Sequence, residues 1–235
     1  MTGTLYLIPT TIGSENWAMV IPQGVINRTQ SLKHFIVEDI RTTRRYLSRI
    51  GVLTPIDQLE FQLLNEHTQQ IEIEGLLKPL LQGIDVGLLS EAGLPAIADP
   101  GSQLVAIANR KGIKVVPLTG PSSIFLTLMA SGLNGQNFAF IGYLPVKSDE
   151  RKKRIKQIEL RSKQEKQTQI FIEAPYRNNH VFEDILKECN TETSLTLGVE
   201  LTTSTEFIAT KKIREWKNSS PPDINKKNCV FCLLA

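Results

Sequence analysis

What restricts the fold of this chain most is a rhythm in its sequence. Short apolar runs rich in branched residues, LYLIP at 5–9, HFIVED at 34–39, VGLLS at 86–90 and IKVVPL at 113–118, alternate with longer stretches of helical period. Parallel strands need a long crossover, usually a helix, so this alternation predicts βαβ units and a mainly parallel sheet. The clearest helix signals lie around residue 100: Asp99 as an N-cap with Pro100 at the first helical position, then Lys111 in the last turn and Gly112 after it.

A second group of runs follows: FAFIGYL at 138–144, QIFIEAP at 169–175, SLTLGVEL at 194–201, TEFIAT at 205–210 and the closing CVFCLLA. Here the strands crowd together with fewer helices between them, which predicts a mixed sheet. At 235 residues the chain has room for two domains. The expected architecture is α/β, with one domain over 1–118, another over 119–235, and a cleft between them.

Charge and cysteine content narrow the function classes. The formal net charge of +3 is too mild to demand a nucleic-acid partner. Locally, though, Lys147 to Gln167 carries nine Lys or Arg against four acids, which suits either a basic contact patch or a solvated helix face. Cys189, Cys229 and Cys232 form no disulfide framework, and a reduced cytoplasmic setting is expected. Cys229 and Cys232 have CxxC spacing, but on a strand an offset of three puts them on opposite faces, so buried strand cysteines are expected rather than a redox or zinc site. With His34, His67 and His180 scattered, no metal site is expected. The N-terminal stretch lacks the basic start and apolar run of a signal peptide. Val115 to Val146 has no charged residue, yet Pro117, Gly120, Pro121, Gly132, Gly135 and Gly142 interrupt it, so no membrane span is expected.

In open α/β sheets, ligands bind beyond the carboxyl ends of the strands. The unusual loops of this chain follow its strands: PTTIGS, EDIR, SEAGLPAIADPG, TGPSS and EAPYR. Glycine lets a backbone approach a ligand, and proline sets its direction. Neither GxxxxGK[ST] nor GxGxxG is present, which argues against the P-loop and Rossmann phosphate sites. Ser122 and Ser123 suit either contacts to a small amphiphilic cofactor or simple capping of the helix SIFLTLMAS.

Taken in order, LYLIPTTIG, VEDIRTTRRYL, LLSEAGLPAIADPGSQLV, VVPLTGPSSIFLTLMASGL, GYLP before a basic helix, IFIEAPYR and VELT resemble the tetrapyrrole methylase superfamily. Within it, the chain is most similar to the branch of ribosomal RNA small subunit 2′-O-ribose methyltransferases. The resemblance implies two α/β domains, S-adenosyl-L-methionine bound in the cleft between them, and a homodimer. It places Gly93, Leu94, Pro95 and Ile97 in the cofactor loop, joined by Ile12, Ser122, Ser123, Glu173 and Ala174. Several motifs depart from the branch pattern: EDTR is Glu38, Asp39, Ile40, Arg41 here, DAGTP is EAGLP, ESPHR is EAPYR, and HEHNE is Asn65, Glu66, His67, Thr68, Gln69. The segment between Gly13 and Lys33 also differs from the usual continuation.

A ribose hydroxyl needs a proton acceptor, and Glu38 and Asp39 at a strand end are the candidates, with Asp39 equally suited to capping the next helix. The helix over 40–50 is expected to bury Ile40, Thr43, Leu47 and Ile50. It would turn Arg41, Arg44, Arg45 and Arg49 elsewhere, and Arg41, Arg44 and Arg45, with Arg177, are expected to hold the substrate. The expected partner is therefore ribosomal RNA or the small ribosomal subunit. The alternatives are a methyltransferase for a tetrapyrrole or another small molecule, and a non-catalytic homologue that binds RNA or protein.

Overall fold

The computed structural model describes residues 2–14 and 16–235. The chain divides into two compact units, residues up to Ser122 and Ser123–Ala235.

The first unit runs β1 (Thr4–Leu7), α1 (Gln23–Gln30), β2 (His34–Val37), α2 (Ile40–Arg49), β3 (Glu60–Leu63), α3 (Gln70–Gly75), α4 (Lys78–Leu81), β4 (Val86–Leu89), α5 (Gly101–Arg110) and β5 (Lys114–Pro117). Its sheet has the order β3-β2-β4-β1-β5, and every pairing is parallel. Successive side chains alternate between two cores, as the strand period requires. Leu5, Ile36 and Leu88 meet Ile73, Leu80, Leu104 and Ile107 on the face covered by α3 to α5. Ile8, Phe35, Val37 and Leu89 meet Val25, Ile26 and Leu47 on the face covered by α1 and α2. Strand β4 is buried throughout because both of its faces are covered.

Strand β3 has no counterpart among the expected strands. It lies on the sheet edge with Glu60 exposed, so its sequence lacks the apolar run of a central strand. Helix α5 begins at Gly101, one residue later than expected, while Gly112 follows its C-cap Lys111 as expected. In α2 the buried side chains are Thr43, Tyr46 and Leu47; Ile40 is only half-buried, and Tyr46 is an addition to the expected face.

The second unit runs α6 (Ser123–Ser131), β6 (Phe138–Tyr143), α7 (Ser148–Glu165), β7 (Thr168–Ile172), α8 (Asn178–Glu188), β8 (Ser194–Val199), β9 (Phe207–Lys212), α9 (Ile213–Lys217) and β10 (Cys229–Leu234). Its sheet, β6-β7-β10-β8-β9, is mixed: β6 and β7 are parallel and the other pairs antiparallel. Strand β9 starts and ends two residues beyond the expected 205–210. Cys229, Phe231 and Leu233 of β10 enter the core under α7 to α9, while Val230 and Cys232 enter the one under α6. The two CxxC thiols thus point to opposite faces, and burial pushes the Cys232 thiol up to about 12. Among the described residues no helix is long and apolar enough to cross a membrane.

Candidate functional site

Strands β1 and β4 are neighbours, yet the helices that follow them, α1 and α5, pack on opposite faces of the sheet. Their connections diverge at the carboxyl edge, which creates a topological switch point. Several of the expected cofactor residues meet there. The Thr10 N–H donates to the Gly93 carbonyl at 2.9 Å. Gly93 is buried with φ +74°, and a Cβ on it would stand 3.1 Å from Ile12 Cγ2 and 3.5 Å from the Pro121 carbonyl oxygen. Any larger residue there would be strained and would press on the loops after β1 and β5. A side-chain carbon on Gly120 would overlap the Pro9 ring, so those two loops are also in close contact. Tyr46 donates from its hydroxyl to the Pro9 carbonyl at 3.1 Å and so pins the first loop from α2.

The rest of the β4–α5 loop is held in an uncommon backbone shape. Ala96 and Ala98 have φ of +67° and +61°, a region that costs residues with a Cβ roughly 1–2 kcal/mol. Asp99 secures it: its Oδ1 accepts the N–H of Ala96 at 3.0 Å and of Gly101 at 2.7 Å. It therefore clamps the loop and accepts the first N–H of α5, whose N-cap position is held by Pro100. Burial pushes its carboxyl up, against the pull of the backbone N–H groups. Pro95 is buried, Leu94 half-buried and Ile97 exposed at the loop surface. Asp99 Oδ2 and Thr10 Oγ1 are buried without hydrogen-bond partners, two polar atoms that the fold itself leaves unsatisfied.

Beside this loop stand three carboxylates from the ends of β2 and β4. Glu38 Oε2 accepts the Glu91 N–H at 3.1 Å. Asp39 is the N-cap of α2, accepting from the Thr42 N–H at 2.7 Å and the Thr42 hydroxyl at 2.9 Å, and these bonds lower its pKa. Asp39 thus makes the helix cap that was one of its two sequence readings. Glu91 was not among the expected site residues. Its carboxyl is raised by desolvation and then by the nearby Glu38 and Asp39 charges. From α2, Arg41, Arg44, Arg45 and Arg49 are exposed, with the Arg44 guanidinium 5.3 Å from the Phe61 ring centroid.

The second unit uses its motif residues differently. Arg177 contacts Glu173 Oε2 at 3.0 Å, and its guanidinium donates to the carbonyls of Leu144 at 3.4 Å and Pro145 at 3.0 Å. The Glu173 side chain is 1% exposed and that of Arg177 11%. Arg177, expected to hold the substrate, is thus spent on an internal pair and on tying the β6 and β7 ends together. Glu173 Oε1 accepts the Ala174 N–H at 2.8 Å, a local turn bond. Ser122 ends the first unit and Ser123 opens α6. The basic run of α7 is also less uniform than its charge count implies. Arg151 is buried against Asp184 at 2.7 Å, Lys156 pairs with Glu188, and Arg161 pairs with Glu165.

This arrangement can be compared with known proteins. Residues 20–217 match the family of tetrapyrrole (corrin/porphyrin) methylases. A ribosomal RNA small subunit methyltransferase I from Vibrio cholerae is 34% identical over 230 residues, 98% of this chain and 76% of that one. Another of that name, from Haemophilus influenzae, is 34% identical over 94% of this chain and 75% of its own length. The crystal structure of the methyltransferase CobJ superposes with a TM-score of 0.64 at 15% identity, over 98% of this chain and 94% of that one, a likeness of fold. With the family match spanning most of its length, this chain belongs to the tetrapyrrole (corrin/porphyrin) methylase family.

Proposed function

We propose that this protein is an S-adenosylmethionine-dependent methyltransferase that methylates a ribose 2′-hydroxyl in small-subunit ribosomal RNA. The observation that carries the proposal is the cradle of Ile12, Gly93 and Pro121 at the switch point, in a chain 34% identical to a ribosomal RNA small subunit methyltransferase over 98% of its length. The residues present fit the cofactor: a glycine whose Cβ space is already claimed, a clamped loop, and two buried polar atoms without partners. Gly93, Leu94, Pro95 and Ile97 would hold its amino-acid end with Ile12, while Ser122, Ser123, Glu173 and Ala174 are the further contacts proposed.

When bound, S-adenosylmethionine supplies an already activated methyl group, so the work left to the chain is alignment and proton removal. Glu38 is the proposed proton acceptor, with Glu91 beside it held by the Glu91 N–H bond to Glu38. Asp39 contributes by capping α2, whose exposed Arg41, Arg44 and Arg45 are the proposed phosphate contacts. The proposal extends to a homodimer in the cytoplasm, where its three buried thiols would stay reduced.

The test is incubation with methyl-labelled S-adenosylmethionine and small ribosomal subunits from a strain lacking this gene, followed by nuclease digestion and nucleoside analysis. Label on a ribose 2′-oxygen is expected. Cofactor binding without any label on RNA would overturn the acceptor and favour a small molecule.

A further inference from the structure

A bulge at the end of β6 turns a tyrosine outward, and a second exposed tyrosine follows the end of the neighbouring strand β7. Phe140 pairs with Ile170, but Tyr143, not Gly142, pairs with Ile172, so β6 carries one extra residue. Bulges are rare in parallel pairs and re-aim the side chains beyond them. Gly142, at φ +72°, absorbs the distortion. Before the bulge, Phe138 and Phe140 face the core under α6 while Ile141 faces the core under α7 to α9. Unbroken alternation would turn Tyr143 toward the second core and Leu144 away from it. The extra residue reverses this: Leu144 is buried in that core and Tyr143 is 60% exposed.

Strand β7 is the parallel neighbour, so its carboxyl end lies at the same sheet edge. There Tyr176, in a short 3-10 turn over Pro175–Arg177, is 69% exposed. The two tyrosines share one mount. Arg177, next to Tyr176, donates to the carbonyl of Leu144, next to Tyr143, and is itself held by Glu173. The Lys226 N–H donates to the Pro175 carbonyl at 3.0 Å, which sets an exposed lysine beside the turn. Val146 is bonded to Arg151 of α7, and the next residues of that helix, Lys152 and Lys153, border a shallow depression of about 340 Å³ with Asp149, Lys156 and Glu188. Lys156 and Glu188 pair with each other, whereas no ion pair engages Lys152 or Lys153 among the described residues.

Exposed aromatic rings at one sheet edge together with cations are the means by which proteins hold unpaired nucleotides, since bases stack on the rings and phosphates meet the charges. We propose that Tyr143 and Tyr176 form a stacking platform for unpaired bases of the RNA substrate, with Lys152, Lys153 and Lys226 meeting the flanking phosphates. This deepens the ribosomal RNA reading and rests on it. It also gives a purpose to the departure of EAPYR from the pattern ESPHR, which puts a tyrosine at position 176.

The test is titration of the full chain into a short single-stranded adenosine-rich RNA carrying 2-aminopurine, with the same RNA in a duplex as control. Wild type is expected to quench the fluorophore and to prefer the single strand. Tyr143→Ala and Tyr176→Ala should each weaken binding roughly tenfold, in keeping with the loss of one stacked base. Tyr143→Phe and Tyr176→Phe should retain both affinity and quenching, and Leu at the same positions provides a bulkier non-aromatic variant should alanine lower stability. Unchanged affinity in the double alanine variant, or no binding by wild type, overturns the platform. So does a change in sedimentation behaviour with RNA affinity unaltered, which would assign the tyrosines to a contact between copies of the chain. Methyl transfer to small subunits, measured on the same preparations, separates the two ideas: transfer by wild type with no effect of the substitutions on RNA affinity removes the platform alone, whereas absence of transfer by wild type removes the acceptor reading.

Discussion

The loops after β4 and after β7 solve the same problem, rigidity at a strand end, by different means. The β4–α5 loop is shaped by its backbone, with Gly93, Ala96 and Ala98 at positive φ and a single carboxylate, Asp99, as its clamp. The β7–α8 connection keeps ordinary backbone angles and relies on the buried Glu173–Arg177 pair. Each leaves one buried carboxylate oxygen without a hydrogen bond, Asp99 Oδ2 in the first and Glu173 Oε2, met by Arg177 as an ion pair, in the second, and the backbone-shaped loop is the one that suits a small ligand. A loop built by a side-chain pair satisfies its neighbours' carbonyls internally and offers solvent its tyrosine instead.

This contrast can be broken or sharpened by substitution. Arg177→Ala leaves the Glu173 carboxylate buried and unpaired, and should cost about 3–5 kcal/mol in denaturant unfolding, with partial recovery on adding Glu173→Gln. Asp99→Ala removes the acceptor for two N–H groups in the partly buried loop, and a loss of about 1–3 kcal/mol is expected. Asp39→Ala supplies the scale of a plain helix cap, about 1 kcal/mol. The folded pKa of Asp39 is depressed, so its contribution is present above the unfolded value and lost as pH falls through the folded one. The gap between wild type and Asp39→Ala should therefore close in acid. The smallest effect is the most diagnostic. Ala98→Gly relieves a positive φ and should stabilise by about 0.5 kcal/mol, whereas Ala174→Gly, at φ −64°, should destabilise by a similar amount. Equal signs in thermal melts would erase the distinction between the two loops.

The sequence made most of the architecture legible because the central strands are continuous apolar runs and the helices between them are periodic. Strand β3 escaped because an edge strand needs no such run. Tyr46 lay within reach, since Thr43, Leu47 and Ile50 already marked its helix face. At the candidate site, Gly93 and its prolines announced a shaped loop. Positive φ at Ala96 and Ala98 carries no sequence signal, because alanine is not a residue that favours it. The internal contacts of Arg177 were not legible because a buried pair and a surface phosphate contact look the same as letters, and its partner Glu173 lies across a proline turn. The outward turn of Tyr143 depends on a bulge whose sole hint is Gly142.

The most direct test of the cradle is calorimetric titration of S-adenosylmethionine into wild type and Gly93→Ala. A Cβ at φ +74°, pressed toward Ile12, should weaken cofactor binding by about tenfold when measured at a temperature where the variant is fully folded, with its melting temperature lowered by the strain of about 1–2 kcal/mol. Undiminished affinity in Gly93→Ala would contradict the placement of the cofactor at the β1–β4 switch point.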